Sequence, residues 1–349
     1  MAAVTKSDSA ISYAGILPEG SLGQAGWERA GKGVSLPLLM DNNSGWYTNI
    51  IARNLGFAQA NYTLTYYNQN GTIAGSTSGT IPLNGTVRIN QAGSSMPTVG
   101  SSYISSDQPL AVLVEEYKSP SYMTYNAFSG SSSTLDLPLL MANNNGWYTG
   151  IAVRNNSSSA TTVTVTYYPA SDYPARNPES LTAPAGGSAT FTQIGGQWGS
   201  AQWIGSAVVS TNPPLPIVGI VNQITTTGPP GMNYSAFLHG TPLAVLADIR
   251  NNVNGWTSGQ TIQNVGSSSA SVTLRVNGAT AWSGTIVAKS QQSFYPVPNT
   301  SSGFSVSFVQ PEAKAFKRPP EGNFRTTVAV IGAPRDQFED SDRHRHSGW

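Results

Sequence analysis

Acid–base and nucleophilic chemistry draw on a short inventory here, because the chain holds three histidines and no cysteine. Ahead of the C-terminal stretch only His239 stands, and no Gly-x-Ser-x-Gly turn surrounds any serine, so a Ser-His-Asp triad has no basis. Glycoside hydrolysis needs two acids in one cleft. Glu115 and Glu116 are adjacent in a strand-like run, which sends them to opposite faces, and counting along the repeats aligns them with Ile220 and Val221. Gly31-Lys32-Gly33 lacks the third glycine and the following helix of a dinucleotide fingerprint. Asp41, Asn42 and Asn43 are closely spaced oxygen donors, yet Asp41 becomes Ala142 in the second copy of the motif, which argues against a shared calcium site. The sequence therefore assigns no catalytic residue, no cofactor and no metal site, although Asp342, His344 and His346 offer a small metal or partner contact as an alternative reading. The candidates for ligand contact are four. Arg53 and Arg154 hold one repeat position and read first as surface cations paired to a neighbouring strand; Tyr67 and Tyr168 hold another and read as exposed platforms for a sugar, or as packing against the next repeat.

These residues sit in 349 positions, two to three ordinary domain lengths. Charged residues are only 10% of the chain, and Gly (36) and Pro (23) are abundant, which is a turn-rich β composition. A net charge of +1 without a basic run before the C-terminal stretch leaves no electrostatic footprint for a phosphate backbone, so nucleic acid is not an expected partner. Without cysteine, disulfides and thiolate metal sites are excluded, and any core must hold by packing. No signal-like apolar segment and no run of about eighteen apolar residues appears, so no membrane span is expected.

One block recurs: LPLLMDNNSGWYTNIIARN from Leu36 to Asn54, LPLLMANNNGWYTGIAVRN from Leu137 to Asn155, and a looser copy that begins at Thr241 and ends at Asn264. Each is followed by a run with period-two alternation, in which Tyr66 and Tyr167 share the apolar face while Tyr67 and Tyr168 point the other way. Ser44-Gly45, Asn145-Gly146 and Asn254-Gly255 predict tight hairpins, since both central residues of a type I′ turn need positive φ. Trp46, Trp147 and Trp256 follow these turns and are expected as buried core anchors. Helical periodicity is nowhere sustained. The expected fold is all-β: three tandem antiparallel immunoglobulin-like β-sandwich domains, at 11–118, 119–232 and 233–333, with a short charged tail over 334–349. The segments YNAF (Tyr125–Phe128) and YSAF (Tyr234–Phe237), with Tyr13 in the corresponding place before the first repeat, are read as the first strand of each unit. KSPSYM and TTTGPPGM then serve as short linkers between sandwiches standing end to end in a semi-rigid row. In the third repeat PEAKAFKRPPEGNF replaces the last apolar strand, and only TTVAVIGA (Thr326–Ala333) can supply it.

The run PLLMANNNGWYTGIAVRN, then VTVTYY, GGSATF (Gly186–Phe191) and GSAVVSTNPPLPIVGIVN, resembles the immunoglobulin-like β-sandwich repeats found in tandem in bacterial secreted and envelope proteins. The resemblance covers about 11–310. It implies an extracellular or cell-surface setting and a structural or adhesive role, and it brings no catalytic residue with it. The function expected from the sequence is a non-enzymatic spacer or adhesin whose partners are surface glycans or further copies of itself; the alternative is a carbohydrate-binding array that uses exposed aromatic side chains.

Overall fold

The hairpin turns show how local sequence sets the architecture. In the computed structural model, Ser44 and Gly45 have φ of 53° and 85°, and Asn145 and Gly146 have φ of 50° and 81°. Asn43 and Trp46 exchange two backbone hydrogen bonds of 3.0 Å across the first turn, as Asn144 and Trp147 do across the second. Each pair closes a two-residue loop whose twist matches the strands it joins. The structure describes residues 30–91, 96–119, 121–225, 228–240, 244–252, 256–300, 304–311 and 326–334, together with a two-stranded ribbon of β1 (Ala3–Val4) and β2 (Tyr13–Ala14). The third predicted hairpin, at Asn254-Gly255, lies outside the described residues, as does the charged tail with His344 and His346.

Repeat one contributes β3 (Gly31–Met40), β4 (Tyr47–Asn54), β5 (Ala60–Asn68), β6 (Ile73–Ile81), β7 (Thr86–Asn90), β8 (Val99–Lys118) and β9 (Ser121–Asn126). Repeat two contributes β10 (Thr134–Ala142), β11 (Trp147–Asn155), β12 (Thr161–Pro169), β13 (Glu179–Ala183), β14 (Ser188–Thr192), β15 (Trp203–Asn212), β16 (Ile217–Thr225) and β17 (Gly228–Ser235), with one 3-10 turn at Gly196–Trp198. Repeat three contributes β18 (Ala244–Arg250), β19 (Trp256–Asn264), β20 (Ala270–Val276), β21 (Ala279–Ile286), β22 (Gln291–Phe294), β23 (Phe304–Pro311) and β24 (Thr326–Pro334). The fold is all-β and antiparallel; no α-helix occurs among the described residues.

Repeat two shows the plan: one sheet runs β10-β15-β12-β13, the other β14-β11-β16-β17, and Val163, Val165, Tyr167, Ile151, Val153 and Val221 from both sheets fill the core between them. Repeat one has the same two sheets, except that β8 runs through both of them as one strand: 100–106 pair with β5 and 110–117 with β4. In repeat two a turn between β15 and β16 divides that strand. The turn carries two more residues than the continuous β8. The pairing registers therefore set Glu115 and Glu116 equivalent to Asn222 and Gln223, and correct the alignment with Ile220 and Val221. In repeat three, β24 pairs with β19 along its whole length, so TTVAVIGA fills the place of the missing strand.

Two sequence expectations are corrected by strand pairing. β9 pairs with the end of β8 and β17 with β16, so the YNAF and YSAF segments complete the repeat before them rather than open the next. Among the described residues Tyr13 pairs with Val4 of β1. The cause is a bulge. The register of the first strand slips between Leu36 and Leu39 and between Leu137 and Leu140, where a proline sits. The slip leaves the peptide groups of Leu38 and Leu139 without strand partners. The Tyr125 hydroxyl donates to the Leu38 carbonyl, and the Tyr234 hydroxyl donates to the Leu139 carbonyl at 2.7 Å. For the same reason KSPSYM and TTTGPPGM join paired strands within one repeat, with Lys118 against Ser121 and Thr225 against Gly228, and are not inter-domain linkers.

The repeats do not stand end to end. β3 of repeat one lies against β11 and β16 of repeat two, β9 lies against β17, and β10 of repeat two lies against β19 and β24 of repeat three. Ala152, Val218 and Ile220 of repeat two are buried within the core of repeat one. The second sheet of repeat two is therefore covered on both faces, which accounts for the unbroken apolar run Ile217–Val221.

Candidate functional site

A groove lies where repeats one and two meet, and two of the four sequence candidates line it. Its volume is about 650 Å3. Repeat one supplies Ser35 from β3, Tyr67 from β5, Tyr103 from β8 and the Phe128–Ser131 connection; repeat two supplies Arg154 at the end of β11, Asn156–Ser158, and the Ala185-Gly186 turn between β13 and β14. Period two places Tyr66 in the core and turns Tyr67 outward, as the sequence pattern predicts. The Arg154 guanidinium carbon lies 4.6 Å from the Tyr67 ring centroid, a cation–π contact between repeats.

Two close approaches shape the floor. A Cβ at Gly33 would fall 2.0 Å from the Tyr103 hydroxyl, and one at Gly186, where φ is 67°, would fall 3.3 Å from the Tyr67 ring. A side chain at Gly33 would push the end of Tyr103 aside, and one at Gly186 would also strain the positive-φ backbone beside Tyr67. Tyr103 remains 38% exposed.

Arg154 is the unusual member. It is 3% exposed; its Nη1 donates to the Asn156 side chain at 2.8 Å, and its Nε has no hydrogen-bond partner. The single carboxylate–cation pair among the described residues is Arg88 with Glu115, at 2.6 Å, so no acid neutralises Arg154. Burial draws its pKa below the ordinary value, while a hydrogen bond with Tyr67 and the nearby Tyr103 hydroxyl act in the opposite sense. Arg53, at the same repeat position, is exposed, because no other repeat covers that face of β4 among the described residues. Tyr168 is half-buried near the junction of repeats two and three. There Gln263 replaces the arginine and donates to the carbonyls of Ala207 and Lys289 at 3.2 and 3.1 Å, Val208 stands in register where Tyr103 does, and Lys289 takes the turn position of Gly186. Among the described residues the aromatic pair and the buried cation thus come together at the junction of repeats one and two and not at that of repeats two and three.

A second polar cluster joins the same two repeats. Glu116 is fully buried and accepts a 2.6 Å hydrogen bond from the Asn222 amide of repeat two. Burial pushes its pKa up to about 8, against the smaller lowering from Asn222 and Asn233. Glu115 faces the other way, toward Arg88 and Asn49, so the two acids are on opposite faces as expected.

The sequence did not assign several interior residues. Asn54, Asn155 and Asn264 end the Trp strands, and each amide donates to loop carbonyls; Asn155 reaches Ser159, Ala183 and Pro184 at 2.7, 3.1 and 3.0 Å, and its oxygen accepts from the Ser157 amide at 2.9 Å. The fixed eight-residue gap from Trp to Asn was the available signal. Trp147 is buried, but in a satellite cluster with Leu139, Met141, Ile204 and Met232; Trp46 is half-buried at the side of the first core, and the Trp256 side chain lies outside the described residues. The aromatic anchor of repeat two is instead Trp203, which with Trp198 and Tyr167 forms edge-to-face contacts at 4.8 to 6.1 Å. Among the described residues no three His, Asp or Glu side chains gather into a metal-binding group, and no helix is long and apolar enough to cross a membrane.

No family model matches the chain. No curated protein matches it either.

Proposed function

We propose that this chain is a non-enzymatic structural or adhesive repeat protein, displayed at a cell surface as a stiff spacer. The observation that carries the reading is the merged core of repeats one and two: a spacer transmits position only if its units cannot swivel, and burial of Ala152, Val218 and Ile220 in a neighbour's core opposes swivelling. Polar outer strand faces such as Thr63 with Ser78, and Thr164 with Ser180, hydrogen-bonded in pairs at 3.0 and 2.8 Å, suit a solvated exterior. The resemblance of the repeated block to bacterial envelope repeats points to the same setting. Antibody labelling of intact cells that make the protein tests the reading: labelling without permeabilisation is expected, and labelling that needs permeabilisation contradicts it.

A second reading is carbohydrate binding through aromatic side chains. The groove between repeats one and two favours it, because Tyr67 and Tyr103 both line it, on paired strands, together with several serines. In that reading the spacer carries its own recognition site.

A further inference from the structure

We propose that the groove between repeats one and two binds an acidic saccharide, with Arg154, held on the Tyr67 ring, receiving the sugar carboxylate and Tyr103 supporting the sugar ring. This rests on the carbohydrate reading above and adds to it the class of sugar and the residue that selects it.

Arg154 makes the argument. A charged group taken out of water is costly unless an opposite charge or a full set of hydrogen bonds replaces the lost hydration. Here the guanidinium is 3% exposed, its Nε has no partner, and no carboxylate stands within 4 Å among the described residues. The fold does not require the charge at this position. Repeat three places Gln263 there, which satisfies its amide on the carbonyls of Ala207 and Lys289. The arginine thus occurs where the neighbouring repeat also supplies two tyrosines and a 650 Å3 groove. Nη1 is taken by Asn156 and the Asn155 carbonyl, so the unmet demand of this planar cation is its charge and its one unpartnered nitrogen, Nε, and a planar carboxylate is the group that answers it.

The rest of the lining sets the class of molecule that carries the carboxylate. Tyr103 is 38% exposed, and its hydroxyl end lies over Gly33, so it offers aromatic surface to the groove. The exposed hydroxyls of Ser131 and Ser158 can both donate and accept, and Asn156, whose oxygen accepts from Arg154, keeps its amide to donate. A hydroxylated ring bearing a carboxylate, that is a uronic acid, presents both an apolar face for the tyrosine and hydroxyls for this rim. A neutral sugar leaves Arg154 unpaired, and an acidic peptide leaves the aromatic face without a ring.

Calorimetric titration of the full chain with trigalacturonic acid, galactotriose and triglutamate tests the proposal. Trigalacturonic acid is expected to bind at least about tenfold more tightly than either other probe, the scale of one charge-assisted hydrogen bond. Arg154→Gln is expected to remove that preference while the protein stays folded, and Tyr103→Ala to weaken binding of the acidic sugar; Arg53→Gln is expected to change nothing. Equal binding of galactotriose, preference for triglutamate, unchanged binding by Arg154→Gln, or no binding of trigalacturonic acid each overturns the proposal. None of these outcomes bears on whether intact cells display the chain, so the spacer reading fails or survives by its own experiment.

Discussion

Asn155 and Glu116 are both buried polar residues, and they are held in opposite ways. The Asn155 amide donates to three loop carbonyls and its oxygen accepts a backbone amide, so the loop after the Trp strand is tied to the turn after β13. Asn155→Ala leaves those carbonyls unpaired and is expected to cost about 3 kcal/mol in a urea unfolding experiment, with an unchanged m-value. Glu116 is instead poorly served, for its Oε1 has no partner. With its pKa raised to about 8 from the ordinary 4.5, the folded chain holds a proton that the unfolded chain has lost. The stability this proton confers is complete below pH 4.5 and is lost as pH rises toward 8, at up to about 1.4 kcal/mol per pH unit. Glu116→Gln, which installs the residue found at the equivalent position 223, is expected to abolish that slope and to be more stable than the parent at pH 8. Thermal unfolding from pH 5 to 8 measures both. An identical pH dependence in parent and variant would remove Glu116 from the junction's energetics.

At the scale of elements, the bulge in the first strand of repeats one and two is the feature that a strand pattern alone hides. Pro37 and Pro138 lie at the slip, and a tyrosine six strands later in repeat one and seven in repeat two returns to satisfy the peptide group left over. Tyr234→Phe retains the ring and removes the hydroxyl, so the Leu139 carbonyl loses its partner; a loss of roughly 1–2 kcal/mol is expected by chemical denaturation. Repeat three has the slip, between Leu246 and Ile249, without an equivalent tyrosine strand among the described residues. Its neighbour contact is also more polar. Ser258, Gln260 and Gln263 are buried on β19, and both side-chain polar atoms of Gln260 lack partners.

Much of this was legible in the sequence for a physical reason: hairpins and alternating strands are set by nearby residues, such as Asn145-Gly146 and the Val163, Val165, Tyr167 series. The replacement strand TTVAVIGA was legible in the same way. Features decided by a neighbouring repeat were not. Arg53 and Arg154 share residue type and repeat position, and one is exposed while the other is buried, since only the second meets another unit. The two-residue insertion between β15 and β16 displaced the count that aligned Glu115 and Glu116, because a loop length carries no signal of which strand positions face each other. The run IVGIV was the overlooked sign of docking, as a strand apolar at every position is covered on both faces.

At the scale of the whole molecule, the central claim is that repeats one and two are locked edge to face by a shared core rather than joined by a hinge. The absence of cysteine makes a direct distance measurement simple. Thr80 on β6 and Thr182 on β13 are both exposed, one in each repeat, so Thr80→Cys with Thr182→Cys gives two spin-label sites that disturb neither core. The measurement is the electron-spin distance distribution between the two labels in the full chain. A locked junction predicts a single distribution no wider than labels on one rigid repeat give, and the same mean distance at low and high salt, since the interface rests on Ala152, Val218 and Ile220 rather than on exposed charge. A broad or multimodal distribution would contradict the shared core, and with it the stiff spacer.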